Sequence, residues 1–291
     1  MVKWKRGNLA KPKLTISPLT IMAKRTRKLW VGIGVATIAG ASATGNLGAQ
    51  DPGHQDHAQP APPAQKGNAK PGEGGEAYLT DGGPRDTRIR FYRDIALVRG
   101  HLLVGGELVS LELWDEALPH FLHPTEELYG LMEKYIKLHR MPPFKRELEA
   151  LAQAVKAKRK GAHDQALAVV ERRLDAALAV AKRFMTPVRS FAVKSAIAVL
   201  RTAQSEYGAS MEGGRFTKPV EYQDSRGFVW QAERMIEAAA AGDSAALAGA
   251  RAAFARLKTA WPAPMPPEKP VLEVGEISAL ISQIELATSR L

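Results

Sequence analysis

Four of the seven histidines stand at positions 101, 120, 123 and 139 of this 291-residue chain. The richest stretch runs Arg99-Gly-His101-Leu-Leu-Val-Gly-Gly-Glu107 and then Ala117-Leu-Pro-His120-Phe-Leu-His123-Pro-Thr-Glu126-Glu127. A chain reversal near Leu111-Glu112-Leu113 would set His101 opposite His123 in an antiparallel hairpin. His120 and His123 are three apart, and Glu126 and Glu127 lie three and four beyond His123, so a helix brings them onto one face. His101, His120, His123, Glu126 and Glu127 are therefore the candidate metal ligands. Neutral imidazole with carboxylate suits iron(II), zinc or copper(II), and facing helices are where bundles build such sites. Other readings of the same residues stay open. Pro124 can open a helix whose first turn favours Glu126 and Glu127. Pro119 can bend the preceding helix and aim His120 elsewhere. Glu107 sits on a different helical face from His101 and can simply be solvated, and His101 beside Gly105 can be a packed histidine bonded to a carbonyl.

The elements that would position these residues are helical. Phe91, Ile95, Val98, Leu102, Gly105 and Val109 step by threes and fours on one face, as do Leu128, Met132, Tyr135 and Leu138 after Pro124. Further helices are expected over 144–159, 164–184, 187–209, 220–240, 243–260 and 276–289. Pro142-Pro143, Lys160-Gly161, Thr186-Pro187, Gly213-Gly214, Gly242-Asp243-Ser244 and Pro262 to Pro270 punctuate them. No alternating β-branched runs with hairpin turns occur, so strands are not expected. The fold class is all-α, with antiparallel helical bundles of about eight to nine helices behind a disordered N-terminal tether. Gly105, Leu108, Ala117 and Phe121 match part of a tetratricopeptide pattern, in which small and aromatic positions let two helices cross closely. The degenerate match favours a single hairpin over a repeat array.

Ahead of the helices lie two other segments. Of the 41 Lys and Arg, nine fall in residues 1–49, which hold no Asp or Glu; the remaining 32 face 30 acidic residues. The net charge of +11 thus resides in the leader, and the nearly neutral body lacks the footprint of a nucleic-acid binder. Lys24-Arg25-Thr26-Arg27-Lys28, the apolar run Leu29 to Gly40, and small residues at Ala41-Ser42-Ala43 or Leu47-Gly48-Ala49 have the order of a secretory signal peptide. The run is shorter than the ~20 residues a bilayer span needs. Met22 is an alternative start. Residues 50–85, rich in Pro, Gly, Gln and Ala, read as a linker that cannot bury a core, and His54 and His57 within it as solvated. The helical domain then runs over 86–291, with a possible subdivision near 186. The expected location is periplasmic, with no membrane span after cleavage.

Several chemistries are excluded. With no cysteine there is no disulfide, thiolate zinc site, iron–sulfur ligation or cysteine nucleophile. No Gly-x-Ser-x-Gly elbow, phosphate loop, Gly-x-Gly-x-x-Gly or His-Glu-x-x-His occurs. A non-enzymatic protein is expected. The Lys156 to Lys160 run ends a helix, where cations suit the dipole.

Residues 206–228 carry a family likeness. Tyr207, Gly214, Phe216, Glu221, Tyr222, Asp224 and Phe228 fall on a pattern of acidic-Tyr, Gly-x-apolar, then Glu-Tyr-x-acidic and Phe. This stretch resembles the extracytoplasmic helical domain of bacterial high-affinity iron permeases. Gly213 stands where that family usually has Asp, and Ser225 where it often has Met. The segment from Ala241 to Trp261 is similar, more distantly, to imelysin-like periplasmic iron-uptake proteins. The resemblance implies an exported module working near iron uptake, with iron, or zinc or copper, as the metal and a membrane iron permease or other envelope protein as partner. It does not imply transport, because the membrane helices with their Arg-Glu-x-x-Glu motif are missing. The local physics is also self-sufficient: Gly213-Gly214 stops a helix, Pro219 opens the next, and Tyr207 and Tyr222 can pack across the hairpin. Two functions fit: an exported metal-binding accessory protein linked to iron uptake, or a tetratricopeptide-like interaction module that docks on an envelope partner without metal.

Overall fold

In the computed structural model, residues 83–240 and 247–291 are described. The leader, the linker up to residue 82 with His54 and His57, and the Gly242-Asp243-Ser244 helix start lie outside the described residues. Helix α1 (Thr87–Ser110) begins at Asp86, whose carboxylate accepts the Arg88 backbone N–H at 2.8 Å, a side-chain N-cap. Its periodic apolar face is buried, from Phe91 and Ile95 through Val98 and Leu102 to Val109.

The reversal after α1 is made without glycine. Glu112 takes φ 61°, its N–H donates to the Val109 carbonyl, and the Leu113 N–H donates to the Leu108 carbonyl. This paired bonding with a left-handed residue is the Schellman stop. Helix α2 (Trp114–His123) returns antiparallel to α1, and the chain passes through a π turn (Pro124–Leu128) into α3 (Tyr129–Leu138). Helices α4 (Lys145–Lys156) and α5 (Lys160–Lys182) follow. Lys158, at φ 54°, ends α4 in the same Schellman manner, three residues before the 159 expected from the Lys160-Gly161 punctuation.

The remaining helices are α6 (Val188–Ala209), α7 (Pro219–Ala239), α8 (Ala248–Leu257) and α9 (Val274–Thr288). The all-α expectation holds with one correction. Gly213-Gly214, read as a plain helix stop, is the turn of a small β-hairpin pairing β1 (Met211–Glu212) with β2 (Arg215–Phe216). Both glycines have positive φ, 58° and 74°, as a two-residue type I′ turn requires. The hairpin is too short to show alternation in the sequence.

Helix α1 packs against α6 and α7, across the position near 186 where a subdivision was allowed, and the described residues fall within a single compact unit. Two close approaches set this packing. A Cβ on Gly227 of α7 would collide with the Gly100 carbonyl oxygen, and one on Gly105 would lie 2.7 Å from the Phe121 ring. The first contact holds α7 against the centre of α1, and the second closes the α1–α2 hairpin. Tyr207, Trp261 and Phe216 form edge-to-face contacts at 5.2 and 5.6 Å, with Tyr222 4.8 Å from Phe216. Tyr207 and Tyr222 are therefore linked through Phe216. Among the described residues, no helix is long and apolar enough to cross a membrane.

Candidate metal centre

The α1–α2 reversal sets His101 near His123, with ring centroids 5.3 Å apart. A residue from a distant part of the chain, Asp224 on α7, lies between the imidazoles. Its Oδ1 is 2.6 Å from His101 Nδ1 and 2.7 Å from His120 Nδ1, and its Oδ2 is 3.2 Å from His123 Nδ1. His101 is 3% exposed, His120 0% and Asp224 4%, so the group is almost dry.

The three histidines differ in what holds them. His120 has both nitrogens engaged, the second 2.9 Å from Gln223 Oε1. It does not line the adjoining cavity. The His101 Nδ1 is buried, and its close partner is the same Asp224 Oδ1, at 2.6 Å. His101, His120 and Asp224 present ligand atoms within 4.8 Å of one another.

The cavity beside this cluster has a volume of about 260 Å³. His101, His123, Glu127, Glu206, Glu221 and Asp224 supply its polar lining, and Leu97, Pro119, Leu128 and Phe228 are among its apolar walls. The π turn explains why Glu127 belongs to it. Pro124 lacks an N–H for the preceding turn, and the Tyr129 N–H donates to the Pro124 carbonyl, five residues back. A π turn takes more residues per revolution than an α turn. The residue four after His123 therefore returns beneath it, and the residue three after falls short. Glu127 Oε1 is accordingly 3.6 Å from His123 Nε2. Glu126 is a correction: it is exposed on the other side, beside Lys145 and Glu149.

The electrostatics favour a cation. Burial alone would raise the Asp224 carboxyl, but the His101 and His120 rings outweigh it and hold the group well below the usual carboxylate range. Burial pushes the His101 ring down, against the pull of Asp224, which favours the neutral imidazole that metal binding requires. Burial pushes Glu206 well up, and Asp224, Glu221 and Glu127 add to this by repulsion.

Asp224, Glu206 and Glu221 were absent from the ligands drawn from helical spacing. The only sequence signal for them was the Glu-Tyr-x-Asp likeness, which does not say which face of α7 meets α1. Glu107 is not merely solvated: Arg226 grips both its oxygens at 2.8 and 2.9 Å, which ties α1 to α7. His139 stacks near Tyr135 and Phe184, away from the cavity. His163 is buried against Trp114 and Phe121 with Asp164 on its Nδ1 at 2.8 Å, a packing role.

Tyr207 shows how tightly the neighbouring bundle is closed. Its hydroxyl donates to the Leu272 carbonyl at 2.7 Å, and burial pushes the phenol up to about 12. An unfolded tyrosine titrates near 10. The folded form therefore holds its proton more tightly, and the stability this contributes is complete below pH ~10 and is lost as pH rises toward ~12. Difference absorbance between the wild type and Tyr207→Phe should show only about a tenth of this residue as phenolate at pH 11 while the protein stays folded. Titration near 10 would contradict the buried hydrogen bond.

Fold and site together define a class: an all-α bundle with a buried histidine–carboxylate cavity between its helices. Residues 185–291 match the family described as the iron permease-associated 4-helix bundle domain. The match covers less than half of the chain and takes in α6 to α9. It contains Glu206, Glu221 and Asp224, while the imidazoles of His101, His120 and His123 come from the unmatched segment before it. No curated protein and no solved structure matches the chain.

Proposed function

We propose that this protein is an exported, non-enzymatic metal-binding accessory to iron uptake, acting beside a membrane iron permease or another envelope protein. The iron link is supported by the similarity of residues 185–291 to the permease-associated bundle. Export is supported by the signal-like leader, and a processed N-terminus in protein from the native host is the check on it. The observation that carries the metal reading is the convergence of His101, His123 and Asp224 on one cavity, with the potential ligand atoms of His101, His120 and Asp224 within 4.8 Å of one another. Neutral imidazoles and carboxylates suit iron(II), zinc and copper(II) alike, and the similarity to the permease-associated bundle is what favours iron among them. His120 and Gln223 hold Asp224 from behind.

Titration calorimetry of untagged protein with zinc(II) and anaerobic iron(II) tests the reading. Glu127→Gln is expected to weaken binding by about 10- to 100-fold, and Glu126→Gln to leave it unchanged. Affinity should fall in acid as imidazoles protonate, and because burial holds His101 below the ~6.5 of a free imidazole its share of the loss should begin below that pH. Wild-type binding no tighter than millimolar, or binding that follows His54 and His57, would favour the helical interaction module instead.

A further inference from the structure

Asp224 turns its two oxygens toward different imidazoles on different helical segments. Oδ1 meets His101 of α1, and Oδ2 meets His123 at the end of α2. A carboxylate held in this way can bridge two ions. The cavity it faces is lined by two imidazoles and four carboxylates: His101, His123, Glu127, Glu206, Glu221 and Asp224. Two histidines and four carboxylates from facing helices are the donor set by which four-helix bundles hold a pair of ions. We propose that the cavity binds two divalent transition-metal cations side by side, bridged by Asp224.

This deepens the metal-binding reading and rests on it. His101 belongs to one position and His123 with Glu127 to the other. Glu221, three residues before Asp224 on α7, and Glu206 on α6 complete the wall. The crowding of carboxylates agrees. Four carboxylates crowd one wall and repel one another, and two dications relieve that repulsion more fully than one, with Lys218, 3.9 Å from Glu221, a nearby cation of the chain. A volume of about 260 Å³ admits two ions at the ~3.5–4 Å spacing of paired-metal sites. The acidic wall alone would not make a site; the independent sign is the buried group of His101, His120 and Asp224 at its edge, whose potential ligand atoms lie within 4.8 Å of one another.

The full chain is titrated with zinc(II), and its manganese(II) form is studied by electron paramagnetic resonance. The expected result is two zinc ions per chain, both retained in the His54→Ala/His57→Ala variant, and a spin-coupled manganese pair. Glu206→Gln and Glu221→Gln, close in shape to the native residues, should each weaken one ion by at least tenfold and uncouple the pair, with helicity by circular dichroism unchanged. A single ion per chain, or two uncoupled ions, overturns the pair and leaves the metal-binding reading standing. Two ions unaffected by either variant also overturn it. Absence of binding overturns both.

Discussion

Asp224→Asn is expected to lower zinc(II) affinity by at least about 100-fold with the helical fold retained. The substitution keeps the size of the side chain but removes its charge and replaces one oxygen by an amide donor. Asp224 contacts three imidazoles, at 2.6, 2.7 and 3.2 Å. Losing it therefore takes a ligand from the cavity and disturbs the aim of His101 and His123 together. Substitution of an outer partner of a metal ligand typically costs 10–100-fold, and loss of the ligand itself costs more. His120→Ala provides the contrast, since its ring supports Asp224 from behind and its removal should remain within that outer-partner range. Competition titration against a zinc chelator measures both. Wild-type affinity in Asp224→Asn, with circular dichroism unchanged, would remove Asp224 from the site.

Gly227→Ala is expected to destabilise the protein by about 1–3 kcal/mol, the usual cost of overpacking a closed contact. In an open helical position the same change stabilises by up to about 1 kcal/mol. Here the added methyl would strike the Gly100 carbonyl oxygen and crowd Val104 at 3.3 Å. Backbone cannot step aside as a side-chain tip can, so α7 must move off α1. Each kcal/mol corresponds to about 2–4 °C in Tm for a domain of this size. His101 and Asp224 sit on these two helices, one residue after Gly100 and three before Gly227, so zinc affinity should fall with stability. Gly106→Ala is the control, because it has open space around its Cβ on α1, the other helix of the crossing, and should be neutral or stabilising. Equal Tm shifts for the two variants would show that the crossing does not depend on Gly227.

Asp224 shows why part of the site could not be read from spacing. Periodicity reports on neighbours along one helix, and so His120, His123 and Glu127 could be grouped from it. The hairpin partner His101 was also legible, because the α1–α2 reversal is short and leaves little choice of pairing. The carboxylates of α6 and α7 come from a hundred residues further on, and nothing local states which face of α7 meets α1. That choice is made by the Gly100–Gly227 approach and by Arg226 closing on Glu107.

Glu126 and Glu127 mark the same boundary at the scale of one turn. The residues alone placed both within reach of His123, because an α-helix brings the third and fourth positions near it. The π turn at Pro124 retains the fourth and turns the third outward. The Schellman stops at Glu112 and Lys158 and the β1–β2 hairpin also lay beyond local reading, since two lack the expected glycine and the third is two residues long on each side. By itself the sequence determined the all-α class, most helix boundaries and the imidazole half of the cavity, because each depends on contacts within a few turns of chain. Only the tertiary structure decided the carboxylate half, since long-range helix crossings are set by which surfaces can approach most closely, and that depends on both partners at once.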